Sequence, residues 1–529
     1  MEFNENVITL YYTRIFSVPF LNVLLYRLQR VLIGKKLINF AFASAKENKH
    51  QKAFFRYLNK KYKIIISKSY KFSRSLRFFE NKVILDHASF NYKNLKLPNL
   101  HRLLWSLIFT TYVTSNTKKN LNGFITKNFE VKNIVIIPTY IDLTIICDFI
   151  LKTVLELGKK GYIVIIIPLQ NSKWVFRSKP KHKLSATFMS EVLKKSSQIF
   201  VHYPVRLTPL RFHRYQTIAS IDIFISSFIL ATWIRLHFEK PIIWNFDFQN
   251  YLLANFMKNK SITLYDCVDF FTSSNNKLAK IVHESERRLI KKVDYFFVNS
   301  HTLYNLKRKT KTPTSIVPQG FDLDTYQKNQ TPSNYEKGEL DKLKQIFKKI
   351  PKPIVGYIGN LNFRLDYDLL INTIRRLPHI SFVFTKSFEQ TGEDKLKTKL
   401  EENIKILISL QNVYMIPRTS SKKVVKEIIK YFDMGVIPYD VSMNFNKYSY
   451  PMKVFEYFYI GIPVVSTPIK ELKRFPRFVK IGNSSKEWEN IIKSLLSNAW
   501  PRNYQLKQKL LAKNNSWEKK VSDIVKVIN

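Results

Sequence analysis

The chain of 529 residues is poor in the residues from which several common sites are built. Its 12 glycines form neither a G-x-G-x-x-G nor a P-loop motif, which excludes a glycine-rich phosphate loop of those types. The two cysteines, Cys147 and Cys267, are too few for a disulfide framework or a cysteine-based zinc site. The ten histidines form no H-x-x-x-H pair. We therefore expect no structural metal and a reducing compartment.

Acidic side chains are also scarce, with 39 against 87 lysines and arginines, which gives a formal net charge of +48. Such a field attracts polyanions, namely nucleic acid, an anionic membrane surface or phosphorylated substrates. Hydrophobic residues make up 45% and aromatics 14%, enough for real cores and against overall disorder. At roughly 100–200 residues per domain, the length predicts three domains or two large ones.

A long uninterrupted hydrophobic run is missing as well. The best candidate, residues 218–236, contains Asp222 and Arg235, and an ionisable group in mid-membrane costs at least ~2.5 kcal/mol. We predict instead a buried strand (IDIFIS), a buried helix (FILATWIRLHF) and a further strand (PIIWNF). The N-terminal MEFNENVITLYY lacks the order of a secretory signal, so cytoplasmic location is expected.

From residue 131 onward, buried strand-like runs alternate with helix-length segments, which predicts an α/β fold of two doubly wound, Rossmann-like parallel-sheet domains facing a ligand cleft. The predicted parts are an N-terminal Rossmann-like domain, a linker, a C-terminal Rossmann-like domain and returning C-terminal helices, at 131–326, 327–352, 353–500 and 501–529. Residues 1–130 hold 23 basic against 6 acidic side chains. They form either a membrane-associating element or a layer of the N-terminal domain.

The most specific stretch, residues 447–467, reads KYSYPMKVFEYFYIGIPVVST. It predicts a helix that carries Lys453 and Glu456 on one face, beginning after Tyr450 and Pro451. Helix N-termini bind phosphate, and a carboxylate just inside one can accept two hydrogen bonds from a vicinal diol such as ribose. The alternative is a solvated Lys–Glu pair worth a few tenths of a kcal/mol.

This stretch resembles the donor-binding segment of family 4 glycosyltransferases with the GT-B fold, S-P-x-K-x-F-E-Y-x-A-x-G-x-P-V-V. The shared positions are Pro451, Lys453, Phe455, Glu456, Tyr457, Gly461, Pro463, Val464 and Val465. Further segments resemble other family motifs in the same order: YDCVD (265–269), VPQGFD (317–322), GYIG (356–359), DYDLL (366–370), FDMGVIPY (432–439) and NSWE (515–518). The resemblance covers roughly residues 131–529, and it implies that 131–326 is the acceptor domain and 353–500 the nucleotide-sugar-binding domain.

The resemblance implies transfer of a sugar from a nucleotide diphosphate donor to an acceptor, with retained anomeric configuration and no metal or other cofactor. Glu456 would hold the ribose, and Lys453 would face the diphosphate with nearby N–H groups. Gly359 and Asn360 would allow close backbone approach, and Arg364 would stabilise the leaving group. The implied donor-binding set is Gly359, Asn360, Tyr448, Tyr450, Pro451, Lys453, Val454 and Glu456, and the candidate catalytic residues are Asp247, Arg364 and Lys453.

The chain departs from the family pattern at two positions. Tyr448 stands where the family often has a first glutamate, and a phenol cannot serve as a carboxylate. Asp247 stands where relatives often place a histidine, and it would either contact or deprotonate the acceptor hydroxyl or merely cap a strand. If Asp247 is only structural, a catalytically inactive relative is the alternative. The Asp322 and Asp324 pair matches a D-x-D metal motif, but its position near the hinge argues against metal binding.

The expected partners are a nucleotide-sugar donor, a lipid-linked or polysaccharide acceptor and an anionic membrane surface. Residues 171–183 interleave Trp174 and Phe176 with basic side chains, which favours docking to the inner face of a membrane. No recognition motif supports nucleic acid as a partner. The alternative enzyme class is a nucleotide-sugar 2-epimerase of the same fold.

Overall fold

The computed structural model describes short strands at 7–10, 63–66, 76–79 and 82–85, and then residues 133–141, 148–169, 173–174, 198–202, 205–206, 216–272, 276–327, 333–387, 394–419 and 421–529. Most of the basic region 1–130 and of the aromatic and basic stretch 171–183 therefore lies outside the described residues, as does Cys147. The described residues belong to two compact units, one within 1–147 and 157–263 and the other formed by 148–156 and 264–529. The predicted domain limits stay a prediction.

Seven strands form the first sheet, and each is one of the apolar runs that the sequence predicts. They are β1 (Ile134–Thr139), β2 (Ile163–Pro168), β3 (Ile199–Val201), β4 (Ile242–Asn245), β5 (Ile262–Cys267), β6 (Tyr295–Val298) and β7 (Thr314–Ile316). Their order is β7-β6-β5-β4-β1-β2-β3. Strands β1 and β2 are buried at every position, and they pair in parallel with Ile134 opposite Ile163. Continuous apolar runs of this kind are typical of parallel sheets covered on both faces.

The helices between these strands are α1 (Asp148–Lys159), α2 (Gln216–His237), α3 (Tyr251–Met257), α4 (Asn276–Ile290) and α5 (His301–Lys307). The predicted strand IDIFIS is wrong, because it lies inside α2. The side chains of Ile221, Phe224 and Phe228 are 55%, 50% and 38% exposed. Their spacing of three and four is the period of a helix, which overrode the strand propensity of the β-branched and aromatic residues. No helix of the described residues is both long and apolar enough to cross a membrane.

Six strands form the second sheet, again at the predicted apolar runs. They are β8 (Ile354–Tyr357), β9 (Ser381–Thr385), β10 (Val413–Ile416), β11 (Met434–Ile437), β12 (Val464–Ser466) and β13 (Val479–Ile481), in the order β10-β9-β8-β11-β12-β13. All pairings in this sheet are parallel. Two parallel-sheet α/β domains, as the sequence predicts, are therefore present.

The described residues after β7 form ten further α-helices. They are α6 (Leu323–Gln327), α7 (Asn334–Phe347), α8 (Tyr367–Arg376), α9 (Asp394–Ser409), α10 (Lys422–Ile429), α11 (Asn444–Lys447), α12 (Lys453–Ile460), α13 (Ser485–Leu496), α14 (Arg502–Lys513) and α15 (Trp517–Ile528). The predicted linker contains α7, which begins with a capping box between Ser333 and Glu336. Its Leu343 and Phe347 are buried, so this helix packs on the second core.

The strand order reverses once in each sheet, between β1 and β4 in the first and between β8 and β11 in the second. In open α/β sheets, ligands bind outside the carboxyl ends of the strands at this switch point. Tyr140 and Asp247 follow β1 and β4, whereas Gly359 and Tyr439 follow β8 and β11. The topology thus marks Tyr140 and Asp247 as the candidate ligand-binding position of the first sheet, and Gly359 and Tyr439 as that of the second.

Candidate functional site

Lys453 begins helix α12 and lies against two tyrosine rings at the switch point of the second sheet. Its Nζ is 3.9 Å from the ring centroid of Tyr357 and 5.1 Å from that of Tyr439. Burial alone lowers the pKa of Lys453, but the two phenols raise it by more, and the net shift is upward. The amine is therefore a fixed cation held by cation–π contacts.

Gly359 lies in the turn after β8, beside Lys453. Its φ of +145° is a conformation that side chains disfavour, and a Cβ here would lie 2.8 Å from the Nζ of Lys453. Thr385 Oγ1 donates to the Gly359 carbonyl at 2.8 Å and fixes the turn to β9. Asn360 is exposed, and its side-chain oxygen accepts from the Ser387 hydroxyl. The backbone of Gly359, which carries no side chain, thus lies next to the positive charge of Lys453.

Arg364 supplies a second cation, which also lies against Tyr439. Its guanidinium carbon is 4.5 Å from the ring centroid of Tyr439 and 4.4 Å from that of Phe445. Its Nε donates to Asn446 Oδ1 at 2.9 Å, while Asn446 Nδ2 donates back to the Arg364 carbonyl at 3.0 Å. Asn446 is fully buried, so the arginine is held in one place before any ligand binds.

Tyr439 joins the two cations of the site. Burial raises the pKa of its phenol, but the positive charges of Lys453 and Arg364 lower it by more, and the net shift is downward. Sequence reasoning missed Tyr439, Tyr357 and Asn446. Tyr357 and Tyr439 could have been identified as site residues from the sequence, because each stands at or just after the end of a buried strand in the motifs GYIG and FDMGVIPY.

Glu456 lies one turn further along α12 and pairs with a different lysine from the one the sequence suggests. Its Oε1 is 3.1 Å from the Nζ of Lys422, the first residue of α10, and its side chain is 12% exposed. The alternative interpretation as a solvated Lys453–Glu456 pair is therefore wrong. A carboxylate in the first turn of a helix, with its charge offset by a neighbour, can accept hydrogen bonds from a diol.

Three other predicted donor-site residues, Tyr450, Pro451 and Val454, lie at or just before the start of α12. The amide of Val454 donates to the Pro451 carbonyl at 3.2 Å, and the Val454 side chain is fully buried. The ring of Tyr450 packs edge-on against Phe455 at 5.6 Å, and burial followed by the charge of Glu471 raises its pKa. These residues fix the direction of the helix, and the Val454 amide is already hydrogen-bonded to the Pro451 carbonyl.

The YDCVD motif brings an acidic group to Arg364. Burial raises the pKa of Asp269 to about 6, although the Phe270 amide (2.9 Å) and the charge of Arg364 both act to lower it. Asp266 is fully buried and pairs with Lys520 at 2.9 Å. The first of these aspartates therefore belongs to the surroundings of Arg364, and the second is a structural ion pair.

Asp247 follows β4 at the switch point of the first sheet. Its Oδ2 accepts from the Tyr140 amide at 3.0 Å, and Thr139 provides a second hydrogen bond. Burial raises its pKa to about 6 despite these bonds. The geometry fits a strand-end cap, and the raised pKa fits proton transfer, so the role of Asp247 in the reaction stays a prediction.

The D-x-D match at Asp322 has a structural explanation. The Asp322 carboxylate pairs with Lys152 at 2.7 Å and accepts from the Thr325 hydroxyl at 2.9 Å. Within the described residues, no three His, Cys, Asp or Glu side chains are grouped so that they would hold a metal ion.

Comparison with known proteins gives one sequence relative and several structural ones. No protein-family profile matches the chain. The chain is 22% identical over 251 residues to TuaH of Bacillus subtilis strain 168, which is named as a glycosyltransferase of teichuronic acid biosynthesis. That match spans 45% of this chain and 58% of TuaH.

Solved structures match a larger share of the chain. Anabaena HepE, in complex with UDP and glucose, has a TM-score of 0.55 at 11% identity, covering 74% of this chain and 98% of its own. The sucrose-phosphate synthase of Thermosynechococcus elongatus has 0.53 at 11%, covering 75% and 98%. The N-terminal domain of Candida albicans trehalose-6-phosphate phosphatase has 0.56 at 14%, covering 75% and 96%.

These similarities establish the GT-B type of fold for this chain. At such low identity they show the fold alone, and the assignment to family 4 stays a prediction. The two parallel sheets that the sequence predicts are thus the shared feature, and activity has to be argued from the site.

Proposed function

We propose that the chain is a glycosyltransferase that moves a sugar from a nucleoside diphosphate donor to an acceptor. The observation that carries this proposal is the pair of cations, Arg364 and Lys453, held on one tyrosine ring beside the bare turn at Gly359. A diphosphate needs two or more positive groups and close backbone approach, and both are present at the carboxyl ends of β8 and β11. We take UDP as the nucleotide because HepE was crystallised with UDP.

Each group has a proposed task in the reaction. Arg364 and Lys453 stabilise the negative charge that develops on the diphosphate as the bond to the sugar breaks, which is the main catalytic contribution in a site without a metal. Glu456 accepts hydrogen bonds from the two ribose hydroxyls, with Lys422 offsetting its charge. Asp247 receives the proton of the acceptor hydroxyl. We propose that the sugar keeps its anomeric configuration, as the family resemblance implies.

The acceptor side of the proposal rests on charge and on the sequence relative. We propose a lipid-linked or cell-envelope glycan acceptor, since TuaH is named for the biosynthesis of teichuronic acid. The net charge of +48 would hold the enzyme on an anionic membrane surface at the cytoplasmic side. Sedimentation with phosphatidylglycerol vesicles tests this, because binding should disappear at high salt and be absent with neutral vesicles.

The donor site is tested by the binding of UDP to the full chain, measured by calorimetry with EDTA present. We expect Glu456→Ala and Lys453→Met each to weaken UDP binding by about 10–100-fold, because a charged hydrogen bond contributes about 1.5–3 kcal/mol. UDP at 100 times its dissociation constant should stabilise the wild type by about 2.7 kcal/mol.

Glu427→Ala is the matched control, since Glu427 lies on α10 and pairs with Lys430, three residues further along the chain, at 2.7 Å. It should bind UDP like the wild type. If Glu456→Ala binds UDP as tightly as Glu427→Ala does, the donor-site assignment is wrong. If EDTA abolishes the binding of UDP to the wild type, metal independence is wrong.

A further inference from the structure

A basic and aromatic group of side chains surrounds Tyr448, and we call Phe270, Lys447, Tyr448 and Lys470 the Tyr448 cluster. The ring centroids of Phe270 and Tyr448 are 5.0 Å apart. The Nζ atoms of Lys470 and Lys447 are 4.8 Å and 6.0 Å from the Tyr448 centroid. The Lys470 amide donates to the Lys447 carbonyl at 3.1 Å, which fixes the two lysines beside each other.

The chain connects this cluster directly to Arg364 on both sides. Asn446, which holds the Arg364 guanidinium, is two residues before Tyr448. Asp269, whose pKa the charge of Arg364 acts to lower, directly precedes Phe270. Two residues span at most about 7 Å of backbone, so the backbone of Tyr448 lies close to that of Asn446, the residue that holds the group we assign to the diphosphate.

The charge of the two lysines is not neutralised within the described part of the chain. Neither Lys447 nor Lys470 takes part in an ion pair there, whereas Lys307, whose Nζ is 5.7 Å from the Phe270 centroid, is paired with Glu286. Tyr448 and Lys447 are partly buried, and Lys470 is exposed. The cluster thus offers two aromatic rings and two positive charges to a ligand.

These groups fit one chemical class of ligand. An aromatic face packs against the C–H face of a pyranose ring, and an ammonium next to it attracts an anionic substituent. A neutral sugar would leave the two ammonium groups beside the ring without an anionic partner on the ligand. A carboxylate at position 448 would repel an acidic sugar, and this chain carries a phenol there instead.

We propose that the Tyr448 cluster selects a donor whose sugar carries a carboxylate, that is, a nucleoside diphosphate uronic acid. Tyr448 and Phe270 contact the ring, and Lys447 and Lys470 bind the carboxylate. This inference rests on the proposed function, because it requires a diphosphate at Arg364 and Lys453.

The test compares the binding of UDP, UDP-glucose and UDP-glucuronate to the full chain by calorimetry. We expect the wild type to bind UDP-glucuronate at least ten-fold more tightly than UDP-glucose. The double variant Lys447→Met with Lys470→Met should bind the two donors equally, with its affinity for UDP within about two-fold of the wild type. The control Lys473→Met removes an exposed lysine of the following turn and should keep the preference.

The outcomes separate this inference from the proposed function. Equal affinities of the wild type for the two donors, with UDP still bound, overturn the uronate assignment and leave the proposed function standing. A preference that survives in the double variant assigns the anion to another site and also overturns the inference. Absence of UDP binding by the wild type overturns both. The double variant could also bind both donors as the wild type does but transfer the sugar more slowly to anionic acceptors than to neutral ones. That outcome assigns the cluster to the acceptor and overturns the uronate inference.

Discussion

At the scale of single residues, Asp247 and Asp269 are both buried carboxyl groups, but the groups that interact with them differ. Burial raises the pKa of each carboxyl to about 6. The partners of Asp247 are neutral donors, the Tyr140 amide and the Thr139 hydroxyl, whereas Asp269 also faces the cation of Arg364. Both carboxyls therefore change charge just below neutral pH, where proton transfer to or from them is accessible.

Asp247→Asn tests the burial of this carboxyl through the pH dependence of stability. A folded-state pKa of about 6 against an ordinary 3.8 means that the folded state binds the proton more tightly. The contribution to stability is therefore largest below about pH 4 and is lost as the pH rises through 6, by about 3 kcal/mol in total. Asparagine does not ionise, so the Tm of the variant relative to the wild type should rise between pH 4 and 7 in calorimetry.

The control is Asp341→Asn, since Asp341 is 73% exposed on α7 and its nearest cation, Lys344, is 4.0 Å away. Replacement of this exposed side chain should change the Tm by little. A Tm difference for Asp247→Asn that does not vary with pH would show that burial does not govern this carboxyl. Transfer activity that survives in Asp247→Asn would remove the proposed role as a base.

At the scale of elements, close packing of helix on sheet decides where the site residues lie. Gly435 on β11 faces the ring of Tyr457 on α12, and a Cβ there would lie 2.6 Å from that ring. The Tyr457 hydroxyl accepts from the Ile358 amide at 3.2 Å and is 3.3 Å from the Gly356 carbonyl. The scarce glycines thus allow α12 to approach β8 and β11, which positions Lys453 and Glu456.

Gly435→Ala should therefore destabilise the second domain. The added methyl group forces Tyr457 or β11 to move, and overpacking of this kind costs about 1–3 kcal/mol. Gly338→Ala on α7 is the matched control, because a Cβ there meets nothing within 4 Å and alanine favours a helix by up to about 1 kcal/mol. Urea denaturation followed by tryptophan fluorescence should shift to lower urea for the first variant only. Equal midpoints would show that the contact with Tyr457 is not tight.

At the scale of the whole chain, the C-terminal helix is joined to a strand far away in sequence. Lys520 on α15 and Asp266 on β5 are 254 residues apart, their charged atoms are 2.9 Å apart, and both side chains are almost fully buried. Trp517 packs on Gly320, where a Cβ would lie 2.4 Å from its ring, and Asn515 donates to the Gln319 carbonyl at 2.7 Å. The C-terminal helix is thus part of a core and not an appendage.

Lys520→Met should cost about 3–5 kcal/mol of stability, because it leaves the buried Asp266 carboxylate without its cation. The double variant Asp266→Asn with Lys520→Met removes both charges and should recover part of that loss. Lys519→Met is the control, since the neighbouring Lys519–Asp523 pair is exposed and should contribute less than about 1 kcal/mol. Denaturant midpoints measure all three. A Lys520→Met variant as stable as Lys519→Met would show that the buried pair is not needed.

The sequence by itself determined the strands of the two large sheets, most of the helices and the fold class, because continuous apolar runs and helical spacing are local properties of the chain. It failed at α2, where the strand propensity of β-branched and aromatic residues such as Ile221 and Phe224 suggested a strand in place of a helix. The motif resemblance also pointed to Gly359, Arg364, Lys453 and Glu456.

Only the tertiary structure decided how these residues are held. Asn446 is 82 residues from Arg364, and Lys422 is 34 residues from Glu456, so no local pattern pairs them. The order of the sheet places the ends of β8 and β11 side by side, although nearly 80 residues of chain separate these strands. Spatial adjacency follows from strand order and packing, which depend on the whole chain at once. The two cations meet on Tyr439, and two lysines meet on Tyr448, for that reason.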